Sequence, residues 1–127
     1  MVPDLAWTGE RLVPQVGGDI AYEHLHRYAV AADMAHGKVV LDLACGEGYG
    51  ANLLARVASE VIGIDADAGA VEHARLAYRA DNLRFDVGAC AAVPIPTASV
   101  DLVVSFETIE HHTQHQEMMA EIRRVLR

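Results

Sequence analysis

Four short runs divide the chain, and residues recurring at helical spacing fill the intervals between them. Val39–Leu43, about 60 to 64 and Val100–Phe106 are mostly apolar, and Leu83–Val87 reads as a further strand between the last two. Apolar runs of this kind are expected for parallel strands covered on both faces. Ahead of them, Ala21, Leu25, Tyr28, Ala32 and Ala35 recur at spacings of four and three, one apolar face of a helix. Asp19 is placed to cap that helix and Gly37 to end it. Ala51, Leu54, Ala55 and Ala58 predict a second helix, and Val71, Ala74 and Tyr78 mark the buried side of a third, with Asp67 as its N-cap. Met118, Ile122, Val125 and Leu126 form the buried stripe of a last helix from Gln114 to about Leu126, with Thr113 and Gln116 as a capping box. Strands alternating with helices predict an α/β fold, a doubly wound and mostly parallel sheet of about four strands.

The first run leads straight into a glycine-rich turn, V-V-L-D-L-A-C-G-E-G-Y-G. Asp42 closes the strand, and Gly46, Gly48 and Gly50 follow on alternate positions. Glycines at this spacing let the backbone turn sharply and approach a ligand without a Cβ in the way. A turn of this kind at the carboxyl end of a strand marks a small-molecule site in an open α/β sheet. Gly46, Gly48 and Ala51 also satisfy the dinucleotide pattern G-x-G-x-x-G/A, a weak signal alone. Charge separates the two readings. A dinucleotide brings a pyrophosphate to such a turn. Asp42 before the turn and Glu47 within it would repel a pyrophosphate and suit a ligand bearing positive charge. S-adenosylmethionine, with a sulfonium and an ammonium and no phosphate, is such a ligand. The second apolar run ends in another acid, Asp65, 19 residues after Gly46. An acid there hydrogen-bonds ribose hydroxyls in nucleoside-binding α/β folds, whichever nucleoside is bound.

D-L-A-C-G-E-G-Y-G resembles the first motif of class I S-adenosylmethionine-dependent methyltransferases, and V-I-G-I-D agrees with their second anchor. The resemblance implies a Rossmann-like methyltransferase domain over residues 19–127, preceded by an irregular leader over 1–18. It implies contacts to S-adenosyl-L-methionine from Asp42, Ala44, Gly46, Glu47, Gly48, Asp65, Ala66, Ala89, Cys90, Phe106 and Glu107. In the family an acid commonly follows the glycine after the third strand and contacts the adenine amino group. This sequence has Ala89 there, so backbone groups of Ala89 and Cys90, or another acid such as Asp86, are left to hold the ring. The leader, T-G-E-R-L-V-P followed by A-Y-E-H-L-H-R-Y-A-V-A, is similar to the segment ahead of this domain in bacterial enzymes of saccharide and glycan synthesis. That similarity points to a small-molecule acceptor, a saccharide or glycan precursor among the candidates. Tyr22, His26 or Arg27 then face either the ligands or solvent, and Trp7 covers either the cleft or the domain surface.

His111 and His112 follow the fourth run and are the candidate catalytic residues. A hydroxyl acceptor profits from a base near neutral pH, which histidine supplies. H-H-T-Q-H also raises a metal reading, but zinc needs three or four converging ligands and no H-E-x-x-H motif is present, so no metal is expected.

Composition narrows the classes further. At 127 residues and 52% hydrophobic the chain is one domain or part of one, with enough apolar material for a packed core. A net charge of −8 argues against nucleic acid as a partner. Cys45 and Cys90 lie far apart without CxxC spacing and read as reduced thiols. No signal segment and no membrane-length apolar run is seen, so the expectation is a cytoplasmic protein without membrane insertion. The family usually continues into three more strands after the last helix. The chain is therefore expected to be incomplete at its C-terminus, a fragment or a domain completed by a further segment or by self-association. A rival reading is a non-catalytic nucleoside-binding or interaction module built on the same half-fold. An NAD-dependent oxidoreductase is disfavoured by Asp42 and Glu47.

Overall fold

The computed structural model describes residues 19–106 and 114–127. The chain runs α1 (Asp19–Ala35), β1 (Val39–Leu43), α2 (Tyr49–Leu54), β2 (Glu60–Asp65), α3 (Ala68–Ala77), β3 (Leu83–Val87), β4 (Leu102–Val104) and α4 (His115–Val125). The four strands form one sheet in the order β3-β2-β1-β4. Every pairing is parallel. Successive strands step outward from β1 to β3, and the chain then crosses to the other side of β1. The order therefore reverses between β1 and β4, the place where open α/β sheets form their ligand crevice.

Side-chain alternation explains why three of the strands read as apolar runs. Val40, Val61, Phe85 and Val104 point to one face, where Tyr28, Ala31 and Ala35 of α1, Ala51 and Leu54 of α2, and Val71 and Ala74 of α3 cover them. Leu41, Leu43, Ile62 and Ile64 point to the other face, under Met118 and Val125 of α4 and the irregular segment carrying Val93, Ile95 and Val100. Both faces are covered over β1, β2 and β4, whereas β3 at the edge alternates Leu83, Phe85 and Val87 with the charged Arg84 and Asp86.

Several local expectations change. Leu25 is 38% exposed, and the buried face of α1 is Tyr28, Ala31 and Ala35. Tyr28 and Ala35 are buried as the spacing predicts, Ala32 is partly buried against the same core, and Ala31 joins them. The second helix starts at Tyr49, two residues early, with Gly50 inside it. The fourth strand has three residues, because only Val40, Leu41 and Asp42 of β1 pair with it. The last helix is capped at Gln114, with no side-chain capping bond, and Thr113 lies outside the described residues. Asp67 does cap α3, its side chain accepting from the N–H groups of Gly69 and Ala70 at 2.9 and 3.3 Å. Among the described residues no helix is long and apolar enough to cross a membrane. No strand flanks the outer edge of β3 or of β4 among those residues.

Candidate functional site

Asp42 has the parity of Val40 and therefore points into the apolar layer beneath α1. It is completely buried. In register it lies between Val104 of β4 and Gly63 of β2, and Gly63 is in turn beside Phe85 of β3. This row across the sheet is the floor of the site. Gly63 leaves the space that the Phe85 ring and the Cys45 thiol occupy, and a Cβ there would stand 2.6 Å from the ring. The hydroxyl of Tyr28 donates to Asp42 Oδ2 at 3.0 Å. Asp42 Oδ1 is buried and accepts no hydrogen bond among the described residues. Burial raises the Asp42 carboxyl to about 7; the Tyr28 hydrogen bond pulls it down, and the charge of Asp65 pushes it up. At neutral pH the carboxyl is poised near half-ionisation. A cation arriving at Oδ1 would favour its charged form.

The glycine turn begins with strain. Ala44, Gly46 and Gly48 have φ of 64°, 59° and 91°, all left-handed. For Ala44 this conformation costs energy that the neighbouring structure must offset. Its N–H donates to Ile64 O at 2.7 Å and the next, from Cys45, to the same oxygen at 3.0 Å, fastening the turn to the end of β2. Gly46 N–H donates to Asp65 Oδ2, and Asp67 N–H to Oδ1, both at 2.9 Å. Each Asp65 oxygen retains a lone pair for a further donor. Glu47, inside the turn, is buried. Asp42, Asp65 and Glu47 all act on the Cys45 thiol, whose pKa burial pushes far up and these carboxylates raise further. Cys45 is consequently an inert core thiol.

The glycines serve packing more than ligand approach. A Cβ on Gly48 would meet Ala74 and the Phe85 ring at 2.8 Å, and one on Gly50 would overlap the Tyr28 ring. The turn thus sits tightly under α1 and α3. The rings of Tyr49 and Tyr78 meet edge-on at 6.4 Å beside it.

The remaining candidates gather at the same end of the sheet. Gly88 N–H donates to Asp65 O at 3.0 Å, which brings the Ala89–Cys90 turn alongside Asp65. Ala89 is exposed and Cys90 half-buried, with its thiol pKa raised by burial and by Asp65. Ala66 is exposed next to Asp65. Phe106 follows β4, and its ring meets Tyr28 edge-on at 4.8 Å. Ser105 Oγ donates to Leu43 O at 2.8 Å, tying the end of β4 to the end of β1. Asp86 does not join them. Its carboxylate faces Arg75 at 3.1 Å and Arg84 at 3.4 Å, at the outer edge of β3. Glu107, His111 and His112 lie outside the described residues, as do Trp7 and the rest of the leader. His26 is exposed and Arg27 half-buried. Among the described residues no group of three or more His, Cys, Asp or Glu is placed to hold a metal ion.

Tyr28 is the partner of Asp42 that periodicity conceals. It was counted as one apolar member of a helix face. A buried tyrosine hydroxyl needs a partner, and a buried aspartate one strand away is the natural one.

A family model described as "Methyltransferase domain" matches residues 41–127. A probable S-adenosylmethionine-dependent methyltransferase of Mycolicibacterium smegmatis is 42% identical over 125 residues, covering 97% of this chain and 48% of that protein. A phthiotriol/phenolphthiotriol dimycocerosates methyltransferase of Mycobacterium tuberculosis is 31% identical over 104 residues, covering 80% of this chain and 38% of the relative. Among solved structures, the YcgJ protein of Bacillus subtilis superposes with a TM-score of 0.73 at 26% identity, over 82% of this chain and 47% of that one. The chain spans about half the length, or less, of these three proteins.

Proposed function

This chain belongs to the methyltransferase-domain family of S-adenosylmethionine-dependent enzymes, and we propose that it supplies the donor-binding half of a methyltransferase acting on a small-molecule acceptor. The observation that carries the proposal is Asp42 Oδ1, a completely buried carboxylate oxygen without a hydrogen-bond partner among the described residues, at the crevice between β1 and β4. Unpartnered buried oxygens are costly and rare. A cationic hydrogen-bond donor fits this one, and the methyl donor carries an ammonium beside its sulfonium. Asp42, with Glu47 in the turn, would face that positive end. Gly46 and Gly48 shape the turn, and Ala44 is held in it under strain. Asp65 would accept from the ribose hydroxyls. Ala66, Ala89 and Cys90 would border the adenine, with backbone groups substituting for the missing acid. Phe106, packed on Tyr28, and Glu107 would lie toward the methionine portion.

The bound donor supplies an already activated methyl group. The chain's own residues then bind, orient and exclude water; positioning of two reactants is worth several kcal/mol of barrier, on the order of 7–11 at best. His111 or His112 would take the proton from a hydroxyl acceptor. A saccharide or glycan precursor is the acceptor favoured by the leader sequence; the relative named a phthiotriol/phenolphthiotriol dimycocerosates methyltransferase keeps compounds of that kind as the competing class.

Calorimetric titration with S-adenosylmethionine, S-adenosylhomocysteine and NAD tests the donor assignment, with Asp65→Ala as control. Binding of the first two, lost in the control, is expected. Binding of NAD alone would reverse the assignment, and no binding of the donor or its product would end it for this chain. With a methylated acceptor in hand, unchanged turnover in both His111→Ala and His112→Ala would remove the histidines from the chemistry.

A further inference from the structure

A second concave surface lies away from the crevice. An open cavity of about 430 Å³ is bordered by Arg75, Tyr78, Arg79, Leu83, Arg84 and Asp86. The helix α3 starts beside Asp65, at the carboxyl end of the sheet, and runs back along it to the start of β3. Arg75 lies in the last turn of that helix, and Arg79 follows its end. The cavity is therefore bounded by the end of α3 and the outer edge of β3, distinct from the glycine turn.

Charge sets this patch apart. Three arginines and one aspartate leave two positive charges in a chain whose net charge is −8. Asp86 is shared between Arg75 and Arg84. Arg79 forms no ion pair among the described residues. The backbone adds a neutral donor. Val61 N–H donates to Asn82 O at 2.7 Å and Gly88 N–H to Asp65 O at 3.0 Å, so even-numbered residues of this stretch turn their backbone groups toward β2. Leu83, Phe85 and Val87 turn theirs outward, by the alternation of a parallel ladder. Arg75 Nε takes the outward Phe85 carbonyl at 2.8 Å. The Phe85 N–H faces the same way, with no strand beyond it among the described residues.

We propose that this cleft binds the phosphate group of a phosphorylated small molecule, held by the guanidinium groups of Arg79 and Arg84 and by the Phe85 N–H. Two surplus positive charges match a phosphate monoester dianion, and guanidinium forks match its oxygens. The cavity lies in the size range of small-molecule sites and exceeds what a bare phosphate fills. Leu83 and the Tyr78 ring give the organic part an apolar wall. Nucleic acid is a poor fit, since it requires an extended basic track and the rest of the chain is acidic. The assignment is independent of what the glycine turn binds.

The test is a titration of the ¹⁵N-labelled chain with phenyl phosphate at low ionic strength, with phenol as the uncharged comparison. Saturable shifts are expected at the amides of Arg79, Arg84 and Phe85, with residues 44–48 unmoved and no response to phenol. Arg79→Gln and Arg84→Gln are each expected to weaken binding at least tenfold, while Arg56→Gln, elsewhere on the surface, leaves it unchanged. Both arginines are exposed, and the unperturbed remainder of the spectrum reports that each variant is folded. Absence of saturable shifts, equal affinity in the arginine variants, or shifts centred on 44–48 would overturn the proposal.

Discussion

The two faces of the sheet treat polar groups in opposite ways. On the α4 face, Arg124 donates to both Glu121 oxygens at 2.7 and 3.1 Å, to Val93 O at 2.8 Å, to Ile95 O at 3.0 Å and to Thr97 Oγ1 at 3.3 Å. Glu121 also accepts the Val93 N–H at 2.8 Å. Its pKa is lowered, first by the Arg124 hydrogen bond. This network pins the irregular segment after β3 onto α4. On the α1 face, among the described residues, Asp42 is buried deeper and has one hydrogen bond, from Tyr28, and one oxygen with none. Among those residues, His73 Nε2 and the Tyr78 hydroxyl, on and just after α3, are also buried without a hydrogen-bond partner. Where a carboxylate oxygen is left wanting at the ligand end of a sheet, folding stability has been given up for something else.

The largest expected effect breaks the α1 face mechanically. Phe85→Ala removes the ring that fills the space over Gly63 and against Gly48, and should cost about 3–5 kcal/mol. Chemical denaturation would register it, and loss of donor binding should accompany it because the turn loses its support.

Asp42→Asn sharpens the comparison chemically. A carboxyl whose folded pKa, about 7, lies above its unfolded value of 3.8 costs stability that is absent below the unfolded value. The cost grows as pH rises from there and is complete above 7. Asp42→Asn should therefore be more stable than the parent at pH 8, and the difference should vanish near pH 3.5. Its donor affinity should fall at least tenfold, about 1.4 kcal/mol. Thermal melts at the two pH values, beside calorimetry, separate the two effects.

Tyr28→Phe keeps the ring against Phe106 and removes the hydroxyl. The loss should be about 1 kcal/mol. Because that hydrogen bond lowers the Asp42 pKa, any titration governed by Asp42 should move to higher pH. The smallest effect is expected from Arg124→Lys on the other face. It keeps the charge, loses the fork, and should lower Tm slightly while leaving donor affinity at the parent value.

Sequence pattern carried the architecture because β1, β2 and β4 are apolar on both faces, β3 alternates, and the intervals between the strands are short. It also located the acids, since Asp42 and Asp65 interrupt or end apolar runs where no packing reason calls for them. It did not single out Ala31 on the inner face of α1, because alanine satisfies either assignment. Nor did it separate two roles of glycine. Gly48 is both left-handed and crowded, whereas Gly50 is helical and excluded from bearing a side chain only by Tyr28, 22 positions earlier. Asp86 shows the same limit in charge. Its neighbours in space, Arg75 on α3 and Arg84 two residues back, decide its role, and only the register of β3 against the helix brings the first of them close.

The central claim is that Asp42 waits for a cation. Calorimetry of S-adenosylmethionine binding from pH 5.5 to 8.5 tests it most directly. The protonated form must release its proton for the cation to bind, so affinity should rise about tenfold per pH unit below 7 and level off above it. Proton release should be visible as a dependence of the heat on the buffer, and both features should disappear in Asp42→Asn. A parent affinity that stays flat across this range, or a pH profile unchanged in Asp42→Asn, would contradict the account.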